Sequence, residues 1–279
     1  MPELPEVEII ANGLRPFIIG KSIGDIQRSA LQMRRDSPQS ELLRLRSQSV
    51  MKIERRAKYI VIHCDQGDSL LLHLGMSGRL LFHNAADELL KNTKHKHLTI
   101  SFHQGGTLTL VDPRRFGMYE VIRTRDIKQH PTMNNLGVEP LEAAFDAHYL
   151  HTCIQQSDRN IKNILMDGRI VVGVGNIYAS ESLFMTGLHP AIIGASLSLL
   201  ICGRLVQAIK EVLIKAINSG GSSLKDYVHV DGSIGGFQDE FMVYGRQAQP
   251  CKICESSIVR FTQGGRATFF CPTCQEMAS

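Results

Sequence analysis

Four of the seven cysteines lie close together near the C-terminal end of the sequence, as two Cys-x-x-Cys pairs separated by sixteen residues. These are Cys251, Cys254, Cys271 and Cys274. The spacing fits four thiolates around one tetrahedral zinc ion. Apolar residues on both sides of Gly264-Gly265 predict a β-hairpin between the pairs. A hairpin of this size needs the metal to keep its shape, so we expect a zinc ribbon with one bound Zn²⁺.

Two disulfide bonds are the alternative for the same four cysteines. The acidic N-terminal segment does not read as a secretory signal, and no run of about eighteen apolar residues is present to span a membrane. We therefore expect a cytoplasmic protein, whose thiols stay reduced and can bind a metal. The remaining cysteines, Cys64, Cys153 and Cys202, lie among apolar residues and are predicted to be buried thiols.

The first eight residues, Met1 to Glu8, place a proline directly after the methionine. If Met1 is removed, Pro2 becomes a secondary amine at the chain terminus. With an α-amino pKa of about 7.8, roughly one such amine in seven is uncharged at pH 7, against roughly one lysine in two thousand. A terminal Pro2 is therefore the readier nucleophile.

The residues after Pro2 read as the start of a helix. Pro5 suits the first helical position, Glu6 and Glu8 add negative charge in the first turn, and apolar side chains recur at helical spacing. The positive end of this helix favours the neutral amine, whereas a charged Glu3 favours the ammonium, and the sequence leaves the balance open. An ordinary terminal helix with an acidic first turn is the alternative.

Charge is distributed unevenly along the chain. The net charge of +4 is modest, and it permits an anionic partner without requiring one. Between Arg44 and Lys58, however, six basic residues stand against the single acidic residue Glu54. A solvated face is the alternative to an anion-binding surface for such a run.

The pattern changes from β-rich to helical along the chain. Short β-branched runs between Val50 and Arg123, separated by turns, predict a two-sheet β-sandwich. Pro131 to Gly137 reads as a linker, and the apolar spacing beyond it predicts helices, including a long amphipathic helix from Ser196 to Ile217. The glycine-rich turn Val172 to Asn176 would present backbone N–H groups to an anion, although it lacks the third glycine of a dinucleotide-binding sequence.

Six motifs, in order across nearly the whole chain, closely resemble the formamidopyrimidine-DNA glycosylase family of bacterial base-excision repair enzymes. They are Pro2 to Glu8, Arg56 to Tyr59, His73 to Gly78, Asp112 to Gly117, Val172 to Ser182 and the four-cysteine ribbon. The resemblance implies a multidomain α+β fold. Its parts would be an N-terminal β-sandwich catalytic domain with flanking helices (1–130), a helix-two-turns-helix DNA-binding domain (131–243) with a lesion loop (219–237), and a zinc finger (244–279).

The resemblance also implies a substrate and a setting. The protein would be a monomer, associated with the bacterial nucleoid, that acts on damaged double-stranded DNA. It would remove oxidised purines such as 8-oxoguanine and ring-opened formamidopyrimidines.

Four residues match catalytic residues of the family. Pro2 would attack the anomeric carbon of the sugar, expel the base and form an iminium Schiff base. Glu3 matches the acid that protonates the sugar ring oxygen, and we expect desolvation to raise its pKa. Lys58 matches the residue assigned to the first elimination and Arg266 the residue of the second. The implied outcome is β,δ-elimination, which leaves a one-nucleotide gap.

Three residues on turns match the void-filling side chains of the family. Met76, Arg114 and Phe116 would fill the space left when the damaged nucleotide rotates out of the duplex, with Phe116 wedged between bases. Exposed methionine and phenylalanine on turns are otherwise hard to justify, although core positions are the alternative.

Four further residues are expected to contact DNA. Asn176 matches a residue that holds a phosphate, and His95 matches another DNA contact, although its polar surroundings also suit a hydrated loop. Arg159 is a candidate to replace the basic residue that relatives often carry in place of Ser157. Tyr227 is a candidate contact in the lesion loop.

Two rival functions stay open from the sequence. Endonuclease VIII, the sister glycosylase for oxidised pyrimidines, shares the opening Pro-Glu, the helical domain and the zinc finger, but Leu4 and the Arg-Arg-Phe turn favour the purine enzyme. A non-catalytic protein that binds damaged DNA is the second rival, and the intact Pro2, Glu3 and Lys58 argue against it. The role of Glu6 is open between supporting the lesion pocket and starting the helix.

Overall fold

The computed structural model describes residues 2–84, 93–222 and 235–277. Tyr227 and most of the expected loop at 219–237 lie outside these residues. The chain divides into two compact units. Unit 1 contains Met1–Asn134 and Ser219–Gly236, and unit 2 contains Asn135–Asn218 and Phe237–Ser279.

Unit 1 begins with helix α1, Leu4–Ile18. The backbone N–H of Glu3 donates to the carboxylate of Glu6 at 2.8 Å, which satisfies a donor at the helix start. One face of the helix is buried and carries Val7, Ile10, Ala11, Leu14 and Ile18. These side chains belong to the apolar core that also contains residues of both sheets of unit 1.

The described part of unit 1 contains nine strands in two sheets. The strands are β1 Ile23–Arg28, β2 Arg35–Asp36, β3 Val50–Arg56, β4 Tyr59–Cys64, β5 Asp68–His73, β6 Arg79–His83, β7 Lys96–Phe102, β8 Thr107–Val111 and β9 Met118–Arg123. One sheet has the order β1-β7-β8-β6 and the other β2-β9-β5-β4-β3. Neighbouring strands are antiparallel except for β2 and β9. Because both sheets contribute to one core, the predicted β-sandwich is confirmed.

Short helical segments complete unit 1. They are helix α2, Gln39–Leu42, and 3₁₀ turns at Leu43–Leu45 and Thr124–Gln129. The turns that matter for the site are those between β3 and β4, after β5, and between β8 and β9, because the sequence places candidate residues in each of them.

Unit 2 is helical and ends in a hairpin. Its helices are α3 Ala147–Ile154, α4 Ile161–Leu165, α5 Asn176–Met185 and α6 Leu199–Asn218, with 3₁₀ turns at Gly194–Ser196 and Phe237–Glu240. Helix α5 is buried from Ile177 to Phe184, as expected for a helix enclosed by its own unit.

The long helix α6 begins later than the sequence predicts. It starts at Leu199, because Gly194–Ser196 forms a separate 3₁₀ turn, so the predicted start at Ser196 was wrong. The carbonyl of Ser198 accepts from the N–H of Cys202 at 2.9 Å, and its hydroxyl accepts from the N–H of Ile201 at 3.4 Å. Serine is a favoured residue at a helix start because its hydroxyl satisfies a free N–H group.

The predicted hairpin is present. Strands β10, Val259–Gln263, and β11, Arg266–Phe270, pair antiparallel, and both glycines of the turn Gly264-Gly265 have positive φ. A small apolar cluster supports them, formed by Phe184, Val243, Cys251, Ile258 and Cys271. The expected α+β fold with a β-sandwich, a helical part and a four-cysteine ribbon is confirmed. In the described part of the chain, every helix is too short or too polar to cross a membrane.

A buried carboxylate that the sequence reasoning missed joins α5 to the segment before the hairpin. Glu181 accepts hydrogen bonds from the backbone N–H groups of Met242, Val243 and Tyr244 at 2.8, 3.0 and 2.8 Å. A carboxylate that receives three N–H donors is well satisfied inside a protein. Glu181 therefore fixes where the chain leaves the helical part and enters the ribbon.

Candidate functional site

The predicted nucleophile and acid lie buried at the start of α1. Pro2 and Glu3 directly precede the helix, and the side chain of Glu3 belongs to the buried polar residues. The neighbouring Glu6 is 1% exposed, and both of its carboxylate oxygens accept hydrogen bonds. Oε2 accepts from the N–H of Glu3, and Oε1 accepts from both the N–H and the hydroxyl of Ser222 at 2.9 Å. Glu6 therefore bonds both to the start of the helix and to Ser222, which lies near the beginning of the predicted lesion loop.

Lys58 lies in the turn between β3 and β4. Arg56 and Tyr59 pair across this turn, and Ala57 takes a left-handed conformation with φ 56°. Because such a turn is tight, the ends of both strands fix the position of Lys58, which is half-buried.

His73, at the end of β5, is a candidate residue that the sequence reasoning did not single out. Its ring lies 4.7 Å from that of Tyr59, and its Nδ1 accepts from the N–H of Gly75 at 3.0 Å. Burial lowers the pKa of His73 to about 4, and the positive charges of Lys58 and Arg34 act in the same direction. The ring is therefore neutral at pH 7 and holds the start of the turn that carries Met76. Its place in the motif before Met76 was the signal that could have identified it.

Two of the predicted void-filling residues are exposed on turns that touch each other. Met76 is 40% exposed and Phe116 is 42% exposed, as several other large apolar side chains of the described chain are, so their place on adjoining turns rather than their exposure distinguishes them. A Cβ added to Gly75 would lie 2.5 Å from the backbone of Phe116, so the turns after β5 and β8 are in direct backbone contact. The guanidinium of Arg114 lies 4.7 Å from the centre of the Phe116 ring. Unit 1 thus brings the three residues together.

His95 lies beside the same turns. It is exposed, immediately precedes β7 and has a positive φ of 63°. Its carbonyl accepts from the N–H of Asp112 at 3.0 Å. The backbone of His95 therefore supports the turn of Arg114 and Phe116, and its side chain faces solvent.

The basic run of β3 and its surroundings is partly neutralised within unit 1. Arg44 pairs with Asp68, and Lys52 pairs with Glu54. Arg55 pairs with Glu8 at 2.6 Å. The positive charge on this side of unit 1 is smaller than the sequence suggests, which supports the reading of the run as a partly solvated, ion-paired face.

In unit 2, Asn176, the residue predicted to hold a DNA phosphate, is hydrogen-bonded to the ribbon. Its Nδ2 donates to the carbonyl of Ala267 at 2.9 Å, and its Oδ1 accepts from Nζ of Lys162 at 2.6 Å. The same ammonium donates to the hydroxyl of Thr268 at 2.7 Å. Lys162 is 1% exposed, and the sequence reasoning missed it. It joins α4, the start of α5 and β11 within one unit.

Arg266 and Arg159 occupy different settings in unit 2. Arg266 is exposed at the first position of β11, next to the Ala267 carbonyl that Asn176 holds. Arg159 donates to Asp167 and to the carbonyl of Asn163, both at 2.9 Å. Arg169 and, to a smaller extent, Arg159 lower the pKa of Asp167 by hydrogen bonding to its carboxylate.

The four cysteines of the ribbon converge on one point. Their sulfur atoms all lie within 4.8 Å of one another, with 3.9 Å between Cys251 and Cys274 and 3.3 Å between Cys254 and Cys271. Four sulfurs about 2.3 Å from a tetrahedral Zn²⁺ would lie about 3.8 Å apart, so the cluster fits this ion. Backbone N–H groups of Ile253 and Cys274 point at the sulfurs of Cys251 and Cys271 at 3.4 Å, as suits thiolates. The expected zinc site is confirmed.

Three family models match the chain in sequence order. They describe the formamidopyrimidine-DNA glycosylase N-terminal domain (residues 1–119), the formamidopyrimidine-DNA glycosylase H2TH domain (136–228) and a zinc finger found in FPG and IleRS (248–276). Formamidopyrimidine-DNA glycosylases of Escherichia coli strain 536 and Gluconobacter oxydans are each 42% identical to this chain, with 99% of this chain and all of each relative covered.

Solved structures are similar over the same length. The MutM (Fpg) protein of Thermus thermophilus is 35% identical, with a TM-score of 0.88 and full coverage of both chains. Lactococcus lactis Fpg in complex with DNA containing an abasic site is 32% identical, with a TM-score of 0.90 over 99% of this chain and all of the other. MutM in complex with DNA containing carbocyclic 8-oxo-G gives the same identity, TM-score and coverage.

Proposed function

The chain belongs to the formamidopyrimidine-DNA glycosylase family, and from this premise we propose that it removes oxidised purines from double-stranded DNA and then cleaves the strand at the abasic site. The similarity over the full length to DNA glycosylases is the observation that carries the proposal. Solved relatives hold DNA with an abasic site or an 8-oxoguanine analogue, which supports damaged duplex DNA as the partner and a monomer as the working form.

The first chemical step is assigned to Pro2 and Glu3. After removal of Met1, the lone pair of the Pro2 nitrogen attacks C1′ of the sugar, and the electrons of the glycosidic bond leave with the base, which takes up the proton that the nitrogen loses. Glu3 gives its proton to the ring oxygen O4′, which opens the sugar and leaves an iminium ion on Pro2. Because the proline nitrogen is secondary, this adduct is a cation, and it acidifies the protons at C2′.

The strand cleavage is assigned to Lys58 and Arg266. Loss of a C2′ proton from the iminium allows the 3′ phosphate to leave, and a second elimination releases the 5′ phosphate. Lys58, on the turn between β3 and β4, serves the first elimination, and Arg266, exposed at the start of β11, holds phosphate and serves the second. Hydrolysis of the iminium then frees Pro2, and the products are the free base, an unsaturated aldehyde from the sugar and a one-nucleotide gap.

Met76, Arg114 and Phe116 are assigned to the duplex itself. Rotation of the damaged nucleotide out of the stack leaves a space, and apolar side chains inserted there replace lost stacking. The exposure of Met76 and Phe116 on adjoining turns supports this role.

Asn176, His95 and Arg159 are assigned to phosphates. The side chain of Asn176 is partly used by Lys162 and Ala267, so a phosphate would also meet the backbone N–H groups at the start of α5. A phosphate at Arg159 would share the guanidinium with Asp167.

Two inferences from the sequence stay predictions. They are the DNA contact of Tyr227 in the lesion loop at 219–237 and the domain boundaries at 130/131 and 243/244.

Zinc is assigned a structural role. The four cysteines hold one Zn²⁺, which stabilises the hairpin that carries Arg266 and takes no part in bond breaking. We also propose that the protein works in the bacterial cytoplasm on nucleoid DNA. The bacterial origin of the relatives supports this setting.

Oxidised pyrimidines are a second candidate substrate class. The Lactococcus lactis relative has also been solved with DNA containing an oxidised pyrimidine. A kinetic comparison of duplexes containing 8-oxoguanine and thymine glycol decides between the classes. Faster release of thymine glycol would reverse the assignment.

Borohydride trapping tests the central step. Incubation with 8-oxoguanine duplex and sodium borohydride should reduce the iminium and give a covalent protein–DNA complex. Pro2→Glu combined with Lys58→Ala should abolish the complex, because methionine is retained before glutamate, so the terminal amine lies one residue further away, and the lysine amine is removed. Lys52→Ala, in the same basic run but paired with Glu54, is the matched control and should leave trapping intact. An absence of any complex with the unaltered protein would indicate a DNA-binding protein without catalysis.

A further inference from the structure

The carboxylate of Asp112 lies fully buried between the two turns that carry Met76 and Phe116. It is 0% exposed. Oδ1 accepts from the hydroxyl of Ser77 at 2.5 Å and from the N–H of Arg114 at 3.2 Å. Oδ2 accepts from the N–H of Gly117 at 2.8 Å. One carboxylate thus bonds to the turn after β5 and to both sides of the turn after β8.

The backbone of Asp112 is fixed as firmly as its side chain. Its N–H donates to the carbonyl of His95 at 3.0 Å, and its carbonyl lies 3.0 Å from Nε2 of the buried His97. Both partners lie at the start of β7. The carboxylate therefore extends from a rigid point of the sheet rather than from a free loop.

Glycines allow the two turns to touch without an intervening side chain. A Cβ on Gly75 would lie 2.5 Å from the Phe116 carbonyl carbon, and a Cβ on Gly117 would lie 2.9 Å from the carbonyl of His73 and 3.2 Å from Oδ2 of Asp112. Gly75 also has a φ of 61°, which favours glycine. The contact between the turns is therefore made by backbone and is closed by the Asp112 carboxylate.

We propose that Asp112 is a positioning residue, which fixes the two turns as one rigid unit and presents Met76 and Phe116 to the duplex in constant register. The proposal rests on the proposed function of these residues as void fillers. Two side chains that enter one gap together must be held relative to each other before binding, because ordering them on the DNA would reduce the free energy left for displacing a base. Asp112 provides that order in the free protein.

Asp68 supplies a matched control. It is also a buried carboxylate of unit 1, 2% exposed, and it pairs with Arg44 and accepts from Nε2 of Gln48 at 3.0 Å and from Arg123 at 3.2 Å. Its partners lie away from the two turns. Loss of charge at Asp68 therefore reports the general cost of altering a buried carboxylate in this unit.

The test uses a duplex with a tetrahydrofuran abasic analogue opposite 2-aminopurine, whose fluorescence rises when it is unstacked. At saturating protein, the unaltered chain should raise the fluorescence as the wedge enters. Asp112→Asn places an amide N–H against N–H donors, and we expect it to reduce both this rise and the single-turnover rate of 8-oxoguanine release by about tenfold, as loss of a charge-assisted hydrogen bond implies. Asp68→Asn should lower the melting temperature and leave the saturated fluorescence unchanged.

Ser77→Ala keeps the proposal testable if Asp112→Asn does not fold. It removes the bond between the turns and retains the bond to Gly117, so it should give a smaller loss of fluorescence in the same direction. Full fluorescence and rate in both folded variants, or equal losses in Asp68→Asn, would overturn the positioning role. Borohydride trapping on a natural abasic site separates this outcome from failure of the proposed function. If the unaltered protein forms no adduct there, the function itself is wrong.

Discussion

In unit 1, the turns that carry Met76 and Phe116 extend from strands whose apolar faces share one large core. In unit 2, the hairpin that carries Arg266 is supported by a small apolar cluster around Cys251 and Cys271. A core of many side chains holds turns in place without a metal, whereas a ribbon of this size does not. The residues proposed for base removal and those proposed for the second elimination thus depend on different sources of stability.

Zinc removal should give the largest difference in stability between unit 1 and the hairpin of unit 2. Structural zinc contributes about 10–16 kcal/mol in zinc-finger peptides, which exceeds what the small cluster can replace. Chelation or Cys271→Ser should therefore unfold the hairpin and weaken DNA binding by orders of magnitude, while unit 1 stays folded. Hydrogen exchange at β10 and β11, compared with β4 and β5, measures the difference.

Cys153→Ser is the control for this experiment, because Cys153 belongs to unit 2 but not to the zinc site. It should leave zinc content and exchange unchanged. A hairpin that stays protected after chelation would show that the apolar cluster is sufficient, and the contrast between the units would be lost.

Acidification should act on unit 1 through His73. The folded protein keeps this ring neutral, with a pKa of about 4, whereas the unfolded chain has a pKa near 6.5. As the pH falls below 6.5, the unfolded state therefore binds a proton that the folded state does not. The free energy of unfolding decreases down to about pH 4, and below that pH His73 causes no further decrease. At 1.36 kcal/mol per pH unit, the loss is roughly 3 kcal/mol.

Urea unfolding at pH 7 and pH 4.5 measures this effect. His73→Gln should flatten the dependence of unfolding free energy on pH, because the titrating group is gone. His103→Gln, at an exposed position of the same unit, should keep the slope of the unaltered chain. Equal slopes for both variants would show that His73 does not carry the pH dependence.

Replacement of Lys162 should loosen the hairpin with the zinc still bound. Lys162→Met keeps the aliphatic stem but removes the donors to Asn176 and Thr268, so we expect unit 2 to lose about 2 kcal/mol. Because Arg266 lies beside this contact, the second elimination should slow more than the first. The ratio of β- to δ-elimination products on a gel measures the change.

Lys210→Met is the matched control, since the ammonium of Lys210 donates to the carbonyl of Glu142 at an exposed site. It should leave the product ratio unchanged. If Lys162→Met also left that ratio unchanged, the lysine would stabilise unit 2 without orienting Arg266.

The sequence predicted what local pattern encodes. Short β-branched runs separated by turn residues indicated the strands of unit 1, and the cysteine spacing predicted the ribbon with its four metal ligands. The glycine turn at 264–265 was recognised for the same reason. These features depend on residues that are neighbours in the chain, so the sequence alone contains the signal.

The sequence did not reveal the polar contacts that join distant segments. Lys162 and Thr268 are separated by 106 positions, Glu6 and Ser222 by 216, and each reads locally as an ordinary polar residue. The start of α6 was misplaced because Gly194–Ser196 forms a separate 3₁₀ turn, after which the hydroxyl of Ser198 accepts from the N–H of Ile201. Such contacts become visible only when the fold brings their partners together.

The smallest expected effect concerns Arg159, a residue of unit 2 whose proposed contact with DNA phosphate has the least support. Its ion pair with Asp167 is partly exposed, so Arg159→Gln should change stability by less than about 1 kcal/mol. If the guanidinium also holds a phosphate, the slope of log affinity against log salt should become shallower by about one unit. Arg169→Gln is a close control, because Arg169 pairs with the same carboxylate. An unchanged slope in Arg159→Gln would remove this residue from the DNA contacts, whereas equal changes in both variants would assign the effect to the charge of Asp167.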